Sequence, residues 1–177
     1  MNIRTPMPTP EDIHFMRFAI EQAQKGQQSP GGAEVGAVLV KDGVVRCAGF
    51  NESEMRHDPT AHAEMVVMRR LCAELQTDSL EGFTLYCTLQ PCGMCTMACL
   101  WAGISRIVYG AGRDDVHAVY FESRHNNTLD FIRDAFRDDL QIEGGVLAEE
   151  CAAFYARPQE SVPQQEDPAH GKTAPPR

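Results

Sequence analysis

The chain has 177 residues, 43% hydrophobic and 23% charged, proportions that suit one folded domain with a substantial core. Its formal net charge of −9 argues against a large nucleic-acid footprint and favours a small substrate, while leaving room for a local basic patch. No apolar run reaches the roughly 18 residues of a membrane span, and the first fifteen residues lack a signal-peptide core, so a cytoplasmic protein without a membrane partner is expected.

Thr9-Pro10-Glu11-Asp12 carries the marks of a helix start, and Ile13, Met16, Ile20 and Ala23 continue at helical spacing until the stretch 26–32 breaks the pattern. The apolar run 35–40, the turn Lys41-Asp42-Gly43 and the run 44–50 predict a β-hairpin. Residues 51–58 read as polar loop, and 59–75 as a helix with Val67, Leu71 and Leu75 four apart. A strand is expected over 83–89, a helix over 92–102 and a strand over 104–109. A helix near 130–136, a short strand at 140–142 and a last helix carrying Leu147, Cys151, Phe154 and Tyr155 follow. Alternating strands and helices imply a layered α/β domain, placed at residues 8–156. The last 21 residues, 157–177, contain five prolines and no aromatic residue, and are expected to form a disordered tail, with a partner-binding segment as the lesser alternative.

Seven cysteines make an odd number for a disulfide framework, and the chain is large enough not to need one. Two segments concentrate the chemistry: His62-Ala63-Glu64 and Pro91-Cys92-Gly93-Met94-Cys95. A C-x-x-C pair opening a helix sets both sulfurs on one face, where the positive end of the helix favours thiolate. By itself the pair fits a redox couple, half of a structural zinc site or two buried thiols. His62 supplies the third ligand of a catalytic zinc site, which keeps its fourth position for water. Cys87, in an apolar strand, and Cys99, one turn beyond Cys95, are expected in the core. Glu64 adds what a structural zinc site does not need: a carboxylate able to accept and return a water proton. A Glu on an amphipathic helix is ordinarily a solvated residue; beside this ligand set it is expected to be catalytic.

The pair His62-x-Glu64 and, 26 residues on, Pro91-Cys92-x-x-Cys95 resembles the cytidine and deoxycytidylate deaminase superfamily, whose zinc deaminases carry this signature. The resemblance covers about residues 8–156. It implies a three-layer α/β/α sandwich with a five-stranded mixed sheet, zinc as cofactor, and hydrolytic removal of an amino group from a nucleobase, with Glu64 shuttling protons. Members are commonly oligomeric, which implies a homodimer.

Two branches are similar to this chain. The stretches 57–64 and 143–153 resemble bacterial tRNA adenosine deaminases, although 58–64 is also near-identical in guanine deaminases of this fold. The stretch 113–122 resembles guanine deaminases, which carry an acid at the position of Asp115 and a Phe-acid pair at Phe121-Glu122. They also have Trp at the position of Trp101, where tRNA enzymes usually have His. This reading makes Asp115 a substrate-binding or second proton-shuttle group, and Trp101 and Phe121 walls for a flat base; capping by Asp115 and core packing by Trp101 are the plain alternatives. Both branches place an Asn at Asn51 that hydrogen-bonds the substrate, against the alternative of an Asx turn. Gln90 departs from the usual Glu, and Glu34 from the usual Pro. A guanine-type purine base is therefore the leading expected substrate, tRNA adenosine the alternative, and a catalytically silent zinc-binding partner subunit a third reading that intact Glu64 opposes. A thiol redox role is weaker still.

Overall fold

The computed structural model describes residues 7–121 and 127–160. The expected tail therefore lies outside the described residues from position 161, as does Glu122. Helix α1 (Pro10–Gln28) starts where the sequence marks it: Thr9 caps it, and Thr9 and Asp12 form a reciprocal capping box. Strands β1 (Ala33–Lys41) and β2 (Val44–Asn51) form the hairpin. Asp42 (φ 53°) and Gly43 (φ 72°) make its turn, the left-handed pair that a two-residue hairpin requires. A four-residue helix, α2 (Ser53–Arg56), occupies part of the expected polar loop. Then come α3 (Ala63–Leu75), β3 (Thr84–Leu89), α4 (Gly93–Trp101), β4 (Arg106–Ala111), a single 3-10 turn at 118–120, α5 (Thr128–Arg133), β5 (Gln141–Glu143) and α6 (Ala148–Ala152).

The five strands lie in the order β2-β1-β3-β4-β5. β1 runs antiparallel to both neighbours, while β3, β4 and β5 are mutually parallel, so the sheet is mixed as expected. Alternation along the strands builds two apolar layers. Ala37, Leu39, Leu85, Cys87 and Ile107 face the side of α3, α4 and α5, while Val38, Val40, Tyr86 and Val108 face α1 and α6. Gly36 lets α1 press onto β1, since a Cβ there would lie 2.0 Å from the Ala19 carbonyl oxygen.

A buried polar tie joins these layers. Asp12, 2% exposed, accepts from Arg106 at 2.6 Å and from the Tyr86 hydroxyl at 3.0 Å, and Arg106 also pairs with Glu143 at 2.6 Å. Burial pushes the Asp12 carboxyl up, but hydrogen bonds from Arg106 and Thr9 more than reverse this and hold it at about 2. A depressed carboxylate contributes stability that is present above its ordinary pKa and lost as pH falls toward 2. Asp12→Ala is expected to cost about 3 kcal/mol near neutral pH, the lower end for breaking a buried pair because Arg106 keeps Glu143. The penalty shrinks between pH 4 and 2, where the native carboxylate itself protonates; urea melts across that range check it.

Candidate active site

Because β1 is antiparallel to both β2 and β3, the carboxyl ends of β2, β3 and β4 lie along one edge of the sheet. Helices α3 and α4 begin at that edge. The expected start of α3 at residue 59 is corrected to Ala63. Asp58 Oδ1 accepts the backbone N–H of Thr60 at 2.8 Å and its hydroxyl at 2.6 Å, and Glu52 N–H donates to the Ala61 carbonyl. These bonds hold 58–61 in a turn and leave His62, extended at φ −62° and ψ 156°, as the N-cap. Glu64 then sits in the first turn of α3, so two residues only two apart face one site. Cys92 caps α4 in the same way, and Cys95 follows in its first turn.

His62 Nδ1 lies 3.6 Å from Cys92 Sγ and 3.7 Å from Cys95 Sγ, and the three ligand atoms are mutually within 4.8 Å. Zinc bond lengths near 2.3 Å to sulfur and 2.0–2.1 Å to nitrogen, at a tetrahedral angle, require S···N of about 3.6 Å. The residues therefore fit the metal. Cys92 falls to about 4, because its thiolate accepts a hydrogen bond from Cys95 and sits beside His62; the same sharing pushes the Cys95 thiol up. Glu64 is 3% exposed, and its Oε2 is the buried side-chain oxygen left without a hydrogen-bond partner among the described residues. Burial and the neighbouring Cys92 charge push its carboxyl up to about 7. A buried acceptor without a donor at a metal-shaped cluster is a group waiting for a ligand proton. Cys87 and Cys99 are fully buried core residues, as expected.

The remaining expected site residues fall in different places. Asn51 ends β2, and its Oδ1 accepts the N–H (3.0 Å) and hydroxyl (2.8 Å) of Ser53, so the Asx turn does form and only the amide NH2 is left to donate outward. Asp115 Oδ2 accepts from Gly112 N–H at 2.7 Å, closing the turn after β4; the residue lines a cleft of about 300 Å³ with Gln90, Asn127 and Glu143. Phe121, 4% exposed, is packed in the α1/α6 layer with the Arg113 guanidinium 4.7 Å from its ring centre. Trp101 is neither core nor part of the metal cluster: it ends α4, is 76% exposed and rests on Phe136 with ring centres 5.3 Å apart.

Two more residues shape the site: Gln90, which the sequence marks only as a departure from the usual Glu, and Glu52, which it does not single out. Gln90, 4% exposed, donates through Nε2 to Asn127 Oδ1 (2.8 Å) and Thr128 Oγ1 (2.9 Å), tying the loop before Cys92 to the start of α5. Asn127 Oδ1 already caps Leu129 N–H, so the amide of Gln90 meets a committed acceptor, which a Glu carboxylate in its place could not do. Glu52, 5% exposed, pairs with both Arg56 and Arg70 beneath the 57–62 loop. The i,i+4 spacing of Glu52 and Arg56 was its one sequence signal.

An α/β/α sandwich with three residues able to hold a metal and an unpartnered buried carboxylate at its strand ends fits a class, the zinc-dependent hydrolases. The pattern of the cytidine and deoxycytidylate deaminase zinc-binding region matches residues 9–111, and the chain belongs to that family. It is 39% identical over 142 residues to the tRNA-specific adenosine deaminase of Haemophilus influenzae, covering 80% of this chain and 79% of that one. It is 35% identical over 108 residues to the guanine deaminase of Bacillus subtilis, covering 61% and 69%. A solved structure from work on A-to-I editing by tRNA:A34 deaminases is 33% identical with a TM-score of 0.68, covering 80% of this chain and 98% of that one. The guanine deaminase of Nitrosomonas europaea shares the fold at a TM-score of 0.71 and 22% identity. The protein is thus a zinc-type nucleobase deaminase, a hydrolase of C–N bonds. Among the described residues no helix is long and apolar enough to cross a membrane.

Proposed function

We propose that this protein hydrolytically deaminates adenosine within transfer RNA. The observation that carries this reading is the similarity to tRNA-specific adenosine deaminases over four-fifths of both chains. The packing of Phe121 in the α1/α6 layer supports it too, since a core position leaves that ring no face for a guanine-type base.

His62, Cys92 and Cys95 would hold zinc. Bound there, zinc supplies a Lewis acid that lowers the pKa of water to about 7. Glu64 takes one water proton at Oε2 and returns it to the ring nitrogen as the hydroxyl adds to the ring carbon, then takes the proton of that hydroxyl and passes it to the departing amine, so that water and the amino-base become the carbonyl base and ammonia. Its unpartnered oxygen and a pKa near working pH suit both halves of that transfer. Asn51 donates its free amide N–H to the base. A homodimer is part of this reading. Helix α4 carries no charged residue and exposes Met97 and Trp101, an apolar surface expected to find a protein neighbour.

Deamination of a guanine-type free base is the second reading, favoured by Asp115 at the edge of the 300 Å³ cleft and by the net charge of −9. Ammonia release by the zinc-loaded protein on an anticodon stem-loop, guanine, adenine, cytosine and their nucleosides separates the two. Release from the stem-loop with inosine as product is expected; release from guanine alone would replace this reading with the second and restore Asp115 as a substrate group.

A further inference from the structure

Close to the metal centre, on the outer side of α3, the chain gathers positive charge that its overall balance does not foreshadow. Arg56, Arg69 and Arg70 line a depression of about 60 Å³ together with Asp58, Ala61 and Val66. Their side chains are 54%, 51% and 43% exposed. Each is held from behind. Glu52, buried, takes Arg56 on one carboxylate oxygen and Arg70 on the other, while Asp58 Oδ2 takes Arg69 at 3.2 Å and Thr60 Oγ1 accepts from it at 2.9 Å.

Three guanidiniums face two carboxylates, so the cluster retains positive charge. A buried Glu52 needs one such partner to be neutralised and Asp58 offsets Arg69, so the second arginine on Glu52 is the excess charge. These bonds engage one donor of Arg56, one of Arg70 and two of Arg69; Arg70 Nη1 lies against Gly49 of β2, and the further N–H groups of the half-exposed Arg56 and Arg69 are left at a small concave surface. Planar, pre-oriented N–H forks around a depression of that size match the oxygens of a phosphate.

We infer that this cleft is a phosphate-binding subsite for the backbone of the RNA substrate, an inference that rests on the RNA reading above. Arg69 and Arg70 stand on the helix that His62 caps, roughly 10 Å from it along the axis at 1.5 Å per residue. A nucleotide turned out of its stack into the metal site leaves the phosphates of its neighbours along the rim. The cleft takes such a phosphate without base readout, fixing the strand while the metal site selects the base.

The test is binding of a labelled anticodon stem-loop across a salt series, by the zinc-loaded wild type and by Arg56→Gln, Arg69→Gln and the double variant. Arg70 is kept so that Glu52 retains a partner, and zinc content and melting temperature confirm each variant's fold. Arg17→Gln, on α1 across the sheet, is the control. The double variant is expected to lower the slope of log affinity against log salt by about 0.7, the single-strand value for one phosphate contact, and each single variant by part of that. Affinity at low salt falls about tenfold per arginine. Wild-type binding that neither variant weakens or makes less salt-dependent overturns the subsite and leaves the RNA reading standing. Wild-type protein that binds no stem-loop at low salt overturns both. Competition by a nucleoside 5′-monophosphate as strong as that by the stem-loop would assign the cleft to a free nucleotide and overturn its role in holding RNA.

Discussion

Glu64→Gln is expected to lower kcat by about 10²- to 10⁴-fold while zinc stays bound. The amide matches the carboxylate in size but cannot accept the proton of water. The same change stabilises the metal-free protein at alkaline pH. Glu64 is buried with one oxygen unpartnered, and its carboxyl is pushed up to about 7 from an ordinary 4.5. A carboxyl raised on folding binds more protons in the native state than in the unfolded one between those two values. Stability therefore falls as pH rises through that window and levels off above about 7. Gln carries no such charge, so the variant gains over wild type on the order of 3 kcal/mol at pH 8 and nothing near pH 4. Urea unfolding of both metal-free proteins at the two pH values, beside ammonia release from the zinc-loaded forms, gives the comparison. A variant that loses activity without gaining alkaline stability would show that Glu64 has a buried partner in solution.

Cys95→Ala is expected to lose zinc. Of the three residues that would hold the metal, Cys95 is the fully buried one, at the first turn of α4. Loss of an outer-shell partner already weakens such sites by 10- to 100-fold, so loss of a ligand is expected to exceed about 100-fold. Cys92 is held as thiolate by its neighbour, but Cys95 must give up a proton to bind, and wild-type zinc affinity accordingly rises with pH. Competition against a chromophoric chelator from pH 6 to 8 measures both effects. Equal zinc affinity in wild type and Cys95→Ala would remove Cys95 from the ligand set.

The local elements follow from local chemistry. Thr9-Pro10 with Asp12 three residues past the cap, Asp42-Gly43 between two apolar runs, and the apolar run of β3 are decided by backbone geometry within a few residues, and each forms close to where the sequence marks it. The chemistry was legible for the same reason. Zinc needs His and Cys, the proton transfer needs a carboxylate, and His62, Glu64, Cys92 and Cys95 are the types and spacings that a first helical turn can aim at one point.

Tertiary structure decided the rest. The local Asp58 turn holds 58–60 out of the helix, but only the longer-range bond from Glu52 N–H to Ala61 fixes the stretch beneath His62 and so aims it. Trp101 and Phe121 could serve equally as pocket wall, core or surface. Only the packing of α4 against α5, and of the segment after β4 beneath α1 and α6, put one in solvent and the other in the core. Gln90 and Asn127, 37 positions apart, become partners only when β3 and α5 share an edge, and the arginine cleft assembles from α2 and α3 across a buried Glu52. Such contacts depend on which layers stack, and a linear sequence records that order only through the summed burial of its apolar faces.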